Sequence, residues 1–343
     1  GSLALTADPD MALLSLVRLA EAAAASESGH LASAGGVEPG CTTRPAALLR
    51  SIMSDPAAEP REHRHRLLAV LGASQALGDF LVAHPERLTA LAPRRAWSAP
   101  EEAGPGEALQ RAVHDALGQA GPADTGLSDC DERPPHPADC AVSRATGALR
   151  RAYRDRLTAI VADDLTSADP IEHVPTVCRR MAELADAALD AALLIARAAV
   201  GPQADEVALA VIAMGKTGAR ELNYISDVDV VYVVGPTHEA CGAQEPISEE
   251  RLVEVGTHVA TELAHVVSAT APEPPLWPLD TALRPEGKDG ALVRTLDSHL
   301  AYYRRWAASW EFQALLKARA CAGDVELGAR YEQGVAPYVW EAS

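Results

Sequence analysis

The chain has 343 residues, 48% of them apolar but only 4% aromatic, and a formal charge of −18. That is enough length for two or three cores, rich in alanine and so suited to closely packed helices, and too acidic for a broad nucleic-acid footprint. No apolar run approaches the roughly 20 residues of a membrane span, and neither a leader nor a metal-type cysteine spacing is visible, so reduced thiols in the cytoplasm are expected.

In chain order, Gly1-Ser2 reads as a remnant of tag removal. A helix is predicted over 10–26, with Asp8 and Asp10 favourable near its start. A Gly/Ser/Thr/Pro-rich loop follows over 27–45, then a short helix over 46–54. From Glu62 to Leu91 leucines recur at helical spacing, and Gly72, Gly78 and His84-Pro85 are expected to cut this run into packed pieces. A helix over 104–119 precedes a Gly/Pro/Asp/Cys-rich stretch, 120–140, expected as a flexible loop. Long helices are predicted over 141–166 and 171–200.

The pattern then changes. Residues 207–214 form a continuous apolar run, too short for a helix and suited to a buried strand. A second strand is predicted over 228–234, a helix over 248–270, a third strand over 276–284 with Pro278 at an edge or bulge, and helix after Leu296. The expected fold class is α+β, predominantly helical, with a small mixed sheet. The expected division is a helical region over 1–200 and a sheet-bearing core with packing helices over 201–343.

Between the first two strands lies Met-Gly-Lys-Thr-Gly-Ala-Arg-Glu-Leu-Asn-Tyr-Ile-Ser-Asp-Val-Asp, residues 214–229. Gly215 and Gly218 would let backbone approach a phosphate closely, with Lys216 between them. Asp227 and Asp229, two apart at the head of a strand, project from one face. Adjacent carboxylates on a valine-rich strand repel, and a divalent cation relieves that repulsion. Mg²⁺ held by carboxylates and substrate phosphates is the expected occupant, Mn²⁺ its substitute. Asp280 on the third strand is placed to add a further carboxylate. Arg284 and Lys288 follow in a glycine-containing turn where cations could meet phosphate, although Arg284 could instead pair with Glu286 or Asp289. The chain has three lysines, Lys216, Lys288 and Lys317, against 27 arginines, and all three fall within or beside these segments.

These residues resemble the DNA polymerase β nucleotidyltransferase superfamily. More narrowly, 215–229 is similar to the bifunctional glutamine synthetase adenylyltransferase/adenylyl-removing family. Leu283–Gly290, Leu292–Tyr303 and Trp310–Arg319 match it too, and Leu67–Pro85 resembles its helical segment. Glu221-Leu222-Asn223 looks like the N-terminal, adenylyl-removing half. One departure is Ala282, where many relatives carry an arginine, which shifts weight to Arg284 and Lys288.

The resemblance implies phosphorolysis of adenylyl-tyrosine on glutamine synthetase, using inorganic phosphate and releasing ADP, in the control of nitrogen assimilation. It implies glutamine synthetase and adenine nucleotide as partners, and the PII signal-transduction protein for the full-length enzyme. Asp227 and Asp229 would hold metal, and Asp280 would hold metal or handle a proton. Gly215, Lys216, Gly218, Arg284 and Lys288 would face phosphates, with Asn223 and Ser226 orienting the metal ligands. Two alternatives stay open: a nucleotidyltransferase with another acceptor, and a non-catalytic nucleotide- or PII-binding module.

Weaker features read as follows. His114-Asp115 resembles a phosphohydrolase pair but reads better as a surface helix. Tyr303, Trp306 and Trp310 fall on one helical face and suggest core. Glu311, Lys317 and Arg319 would either pair with one another or close over nucleotide.

Overall fold

A computed structural model describes residues 3, 6–32, 44–93, 104–119, 137–237 and 247–340. The chain is a predominantly helical α+β protein carrying a five-stranded mixed sheet among its described residues. It divides into two compact units, Gly1–Glu102 with Arg154–Val177, and Ala103–Tyr153 with Cys178–Ser343. Of the expected loops over 27–45 and 120–140, residues 33–43 and 120–136 lie outside the described residues, as do Cys41, Cys130 and Cys241, while 27–32 and 137–140 are helical.

The first unit is helical. Helices α1 (Pro9–Ala32), α2 (Pro45–Ser54), α3 (Ala58–Ala73) and α4 (Gln75–Ala83) lead into a 3₁₀ turn, Pro85–Leu91. Helix α1 runs past the expected boundary at residue 26. Leu19, Ile52, Leu67, Leu71, Leu81, Leu88 and Leu91 bury their side chains together, the apolar area removed from water being the main source of stability. The leucine run breaks at Ser74 rather than at Gly72 or Gly78. Ser74 closes α3 through its N–H to the Val70 carbonyl, and its Oγ accepts from Leu77 N at 3.3 Å to open α4. The two glycines serve close approach instead. A Cβ on Gly72 would press on Thr6, and one on Gly78 on Ser15. His84-Pro85 does end α4, as the missing proline N–H requires. No single described helix is long and apolar enough to cross a membrane.

The boundary between units falls inside α6 (Pro137–Leu165) and α7 (Pro170–Val200). The second unit adds α5 (Pro105–Gly118) and the sheet. Strand β1 (Val207–Ala213) pairs antiparallel with β2 (Val228–Pro236) and with β5 (Arg319–Gly323). A single helical turn, α8 (Gly215–Gly218), follows β1. Strands β3 (Leu279–Asp280) and β4 (Val293–Thr295) both lie parallel to β2. One face of β1 and β2, from Ala208 to Val233, packs on helices α10 (Leu296–Arg305), α11 (Ser309–Leu315) and α12 (Val325–Trp340) through Tyr303, Leu315, Leu327 and Tyr331. Helix α9 (Glu249–Ser268) covers β2 and β4, where Gly256 admits the Val234 and Val293 side chains. This two-sided cover explains why β1 is apolar throughout and β2 from Val230 to Val234.

Two expectations change. Only Leu279–Asp280 of the predicted 276–284 strand pairs in the sheet, and the tail after Leu296 is not all helix, because β5 intervenes. Arg319–Gly323 contains no β-branched residue, so its strand character comes from pairing with β1 rather than from propensity. Strand β4, three residues long, is too short for periodicity to register.

Candidate functional site

The site forms where β1 hands over to β2, across the turn α8. Met214 donates its N–H to the Asp229 carbonyl at 2.9 Å, and Gly218 donates to the Met214 carbonyl at 2.8 Å. The turn is thereby tied to the second strand at the level of the aspartates.

Gly215 has φ +52°, and a Cβ there would overlap Asp229 Oδ2. Glycine is therefore required twice, for the left-handed backbone and for the carboxylate lying against its Cα. Gly218 has a different role from the expected phosphate contact. It is buried, and a Cβ would collide with the Lys317 carbonyl oxygen and come within 2.6 Å of that of Ala213. Its missing side chain lets the segment before β5 close on the turn.

Asp227 stands just before β2, Asp229 within it, and β3 runs parallel with Asp229 opposite Asp280. Val228 donates to the Pro278 carbonyl at 3.0 Å, which sets that register. The three carboxylates each present an oxygen within 4.8 Å of the others, Asp227 exposed and Asp229 and Asp280 half-buried. Burial pushes the Asp229 carboxyl above its ordinary pKa, Asp227 and Asp280 push it further, and only Lys216 opposes them. Asp280 Oδ1 also accepts the Ala282 N–H at 2.7 Å, which fixes its side chain.

Behind β3, the fully buried Arg150 of α6 holds the connection from α9. It donates to the carbonyls of Val266 (Nη2, 2.7 Å), Ala269 (2.8 Å) and Glu273 (2.8 Å). Trp277 Nε1 donates to Tyr153 Oη at 3.2 Å. Arg150 fills the role of a C-terminal cap from a distance, satisfying carbonyls that the end of a helix leaves open. Sequence reading missed it, since one arginine in an arginine-rich helix carries no visible mark.

The expected phosphate ligands divide. Lys216 on the turn and Lys288 in the 3₁₀ turn Gly287–Asp289 are exposed, as is Asn223, while Ser226 is half-buried. Arg284 is neither an open phosphate donor nor the ion-pair partner of Glu286 or Asp289. Its guanidinium is buried and donates to the carbonyls of Gly290 (3.1 Å), Thr281 (2.8 Å) and Lys288 (2.9 Å), and to Thr281 Oγ1 (3.0 Å). It builds the turn that presents Lys288. Glu286 pairs with Arg294 instead.

The weaker features resolve as well. His114 and Asp115 sit exposed on α5. Tyr303 is buried, but α10 stops at Arg305, so Trp306 and Trp310 do not continue its face and are 76% and 51% exposed. Glu311, Lys317 and Arg319 neither pair with one another nor share a helix. Glu311 accepts the Ala308 N–H at 2.8 Å, Lys317 pairs with Glu221 at 2.9 Å, and Arg319 pairs with Asp186 at 2.8 Å.

An acidic triad beside a glycine turn, with lysines nearby, has the donor set of a divalent-metal phosphoryl-transfer site: hard oxygens for the cation and ammonium groups for phosphate. Comparison with known proteins adds the following. The family model "Glutamate-ammonia ligase adenylyltransferase" matches residues 64–334. A bifunctional glutamine synthetase adenylyltransferase/adenylyl-removing enzyme of Streptomyces avermitilis is 41% identical over 343 residues, all of this chain and 28% of that protein. One of the same name from Bifidobacterium longum subsp. infantis is 43% identical over 281 residues, 81% of this chain and 24% of its own length. Another, from Mycobacterium bovis, is 40% identical over 344 residues, 99% of this chain and 28% of its own. The chain thus spans about a quarter of the length of these relatives.

Proposed function

The chain belongs to the glutamate-ammonia ligase adenylyltransferase family, and from that premise we propose that it carries the adenylyl-removing reaction on glutamine synthetase. The observation that carries this reading is the triad Asp227, Asp229 and Asp280, three carboxylate oxygens within 4.8 Å at the lip of the glycine turn. The Glu221-Leu222-Asn223 segment, which resembles the removing half, favours removal over addition. Every strand and every carboxylate of the site lies in 201–343, the stretch read as the transfer core, with 1–200 as the helical region before it.

In the proposed reaction an oxygen of inorganic phosphate attacks the adenylyl phosphorus. The bond from phosphorus to the tyrosyl oxygen breaks, that oxygen takes up a proton, and ADP leaves. Phosphate is largely ionised at neutral pH, and a tyrosyl oxygen of pKa about 10 is a fair leaving group, so positioning matters more than a strong base. Asp227, Asp229 and Asp280 would hold Mg²⁺ or Mn²⁺. When bound, that ion neutralises phosphate charge and stabilises the departing oxygen. The residues fit it: carboxylates that repel one another are relieved by a cation, and Gly215 leaves the space on which Asp229 rests. Lys216 and Lys288 supply mobile positive charge to the phosphates, Lys288 from the turn that Arg284 braces. Asn223 and Ser226 would orient the metal ligands. A cytoplasmic setting follows from an intracellular protein substrate, and contacts with PII belong to the longer protein.

The test is to incubate the chain with adenylylated glutamine synthetase, Mg²⁺ and phosphate. ADP formed only when phosphate is present is the expected result. Pyrophosphate formed from ATP and unmodified glutamine synthetase would assign the opposite reaction. Neither product, from this chain or from one extended to the relatives' length, would remove the assignment.

A further inference from the structure

Arg319 opens β5, at the end of the family-like segment Trp310–Arg319, where it was expected to pair with Glu311 or Lys317 or to close over nucleotide. All five of its N–H groups have acceptors. Nε donates to the Gly218 carbonyl at 3.1 Å and Nη2 to the Thr217 carbonyl at 3.0 Å, while Nη1 reaches the Ala320 carbonyl at 3.3 Å. Both terminal nitrogens also meet Asp186 of α7 as a two-point pair, at 2.8 and 2.9 Å. The pair is mostly shielded, with 19% and 18% of the two side chains exposed. Such forked geometry fixes direction as well as distance, which a single ammonium cannot do.

The carbonyls so held are the C-terminal ones of the one-turn helix α8, where a helix runs out of internal donors; the Thr217 carbonyl also accepts the Arg220 N–H at 3.2 Å. A four-residue helix has no cooperative stability of its own, so outside contacts decide where it sits. Two neighbours of Asp186 on α7 hold the end of the turn and the end of β5. Glu183, Asp186 and Asp190 fall at i, i+3 and i+7, on one face of α7. Glu183 meets Arg220 at 3.5 Å, and Asp190 accepts the Gly323 N–H at 3.1 Å. Arg220 leaves the turn with φ +60°, a left-handed backbone that needs outside support in a residue with a side chain. The same turn carries the exposed Lys216, and Gly215 lies against Asp229 Oδ2.

We propose that Arg319, clamped by Asp186, is a positioning residue for nucleotide: by holding the Thr217 and Gly218 carbonyls it fixes where Lys216 and the Gly215–Asp229 contact meet phosphate. It touches neither substrate nor metal. The inference rests on the reading of this turn as the phosphate-facing wall of a nucleotidyl-transfer site.

The experiment compares the wild-type chain with Arg319→Gln, Arg319→Lys, Asp186→Asn and Asp229→Asn. Three quantities are read: Mg-ADP affinity by calorimetry, melting temperature, and amide hydrogen exchange over residues 215–221. Arg319→Gln is expected to weaken Mg-ADP by roughly tenfold or more, the range seen for groups that orient a site from behind. It should also speed exchange over 215–221, leaving β2 exchange and melting near wild type. Arg319→Lys keeps the charge without the fork and should fall between. Should Arg319→Gln fail to fold, Asp186→Asn gives the same reading with the arginine in place. Faster exchange with unchanged affinity, or unchanged exchange, overturns the proposal. A wild-type chain that binds no Mg-ADP, like Asp229→Asn, overturns the functional reading beneath it, whereas wild-type binding matched by all the Arg319 and Asp186 variants overturns this inference alone.

Discussion

Both units match most of their buried charge, but the sheet unit also holds a cluster of like charges. In the helical unit, Arg66 and Asp163 bury their side chains to 6% and 14% exposure as a 2.5 Å pair, and Arg66 also satisfies the Leu91 carbonyl at 2.9 Å. His63, likewise buried, bonds the Leu88 carbonyl at 3.0 Å and is kept neutral by burial, which lowers its pKa. These charges are matched and close the ends of neighbouring turns. In the sheet unit, Asp227, Asp229 and Asp280 are turned toward one another, with Lys216 the one cation among the described residues that eases the strain on Asp229. A fold held mainly by apolar burial can carry such a locally unfavourable cluster, and that cluster creates affinity for a cation and for the anions it brings. Unmatched charge marks the site; matched charge marks the scaffold.

The contrast is open to direct attack. The largest effect is expected at the triad. Asp229→Asn should lower phosphate-dependent ADP formation by on the order of 10³-fold or more, the cost of losing a metal-held charge in phosphoryl transfer. The melting temperature without metal should hold or rise because a repulsive neighbour is gone, and the shift produced by added Mg²⁺ should vanish. A fall in metal-free stability would show that the cluster is structural after all.

Next comes the scaffold. Leu67 is fully buried in the leucine core, so Leu67→Ala should cost about 2–5 kcal/mol of stability in denaturant melts. The kcat per folded molecule should stay unchanged, and a matching loss of kcat would break the division between scaffold and site.

A comparable effect is expected from pH in the sheet unit. Burial, opposed only in part by the Tyr232 carbonyl at 3.2 Å and reinforced by Arg294, lowers His299 to about 4 from an ordinary 6.5. The unfolded chain therefore binds more protons between those values. The stability linked to His299 is complete above about pH 6.5 and is lost as pH falls through 4, about 3 kcal/mol in all. His299→Asn should flatten the decline in melting temperature over this window relative to wild type, whatever its effect at pH 7. Parallel declines would place the acid sensitivity elsewhere.

The smallest effect belongs to exposed aromatics. Trp306, 76% exposed, should change stability by no more than about 0.5 kcal/mol as Trp306→Ala in thermal melts. A larger loss would mean that this side chain is covered in solution.

Much of this was legible beforehand. The apolar run at 207–214 could be little but a buried strand, and Asp227 and Asp229 had to share a face because side chains alternate along a strand. Glycine spacing located the turn, and helical periodicity located most helices. Misreadings share one cause. Gly72, Gly78 and Gly218 look like breakers or phosphate contacts in a linear reading, yet each admits a distant segment against its backbone. Arg284 looks like a free cation, yet its donors close the turn around it. Trp306 shares helical spacing with Tyr303, yet α10 ends one residue earlier.

What the sequence determined alone was everything carried by local order: helix and strand periods, the glycine turn, the paired aspartates and the family they signal. Tertiary structure decided which remote groups complete them. Asp280 comes to Asp229 through a two-residue parallel pairing, Arg150 anchors the connection that leads there, and Arg319 reaches back over a hundred residues to the turn. Hydrogen-bond donors and acceptors find partners by proximity in space, and a chain's order of residues records that proximity only within a few turns.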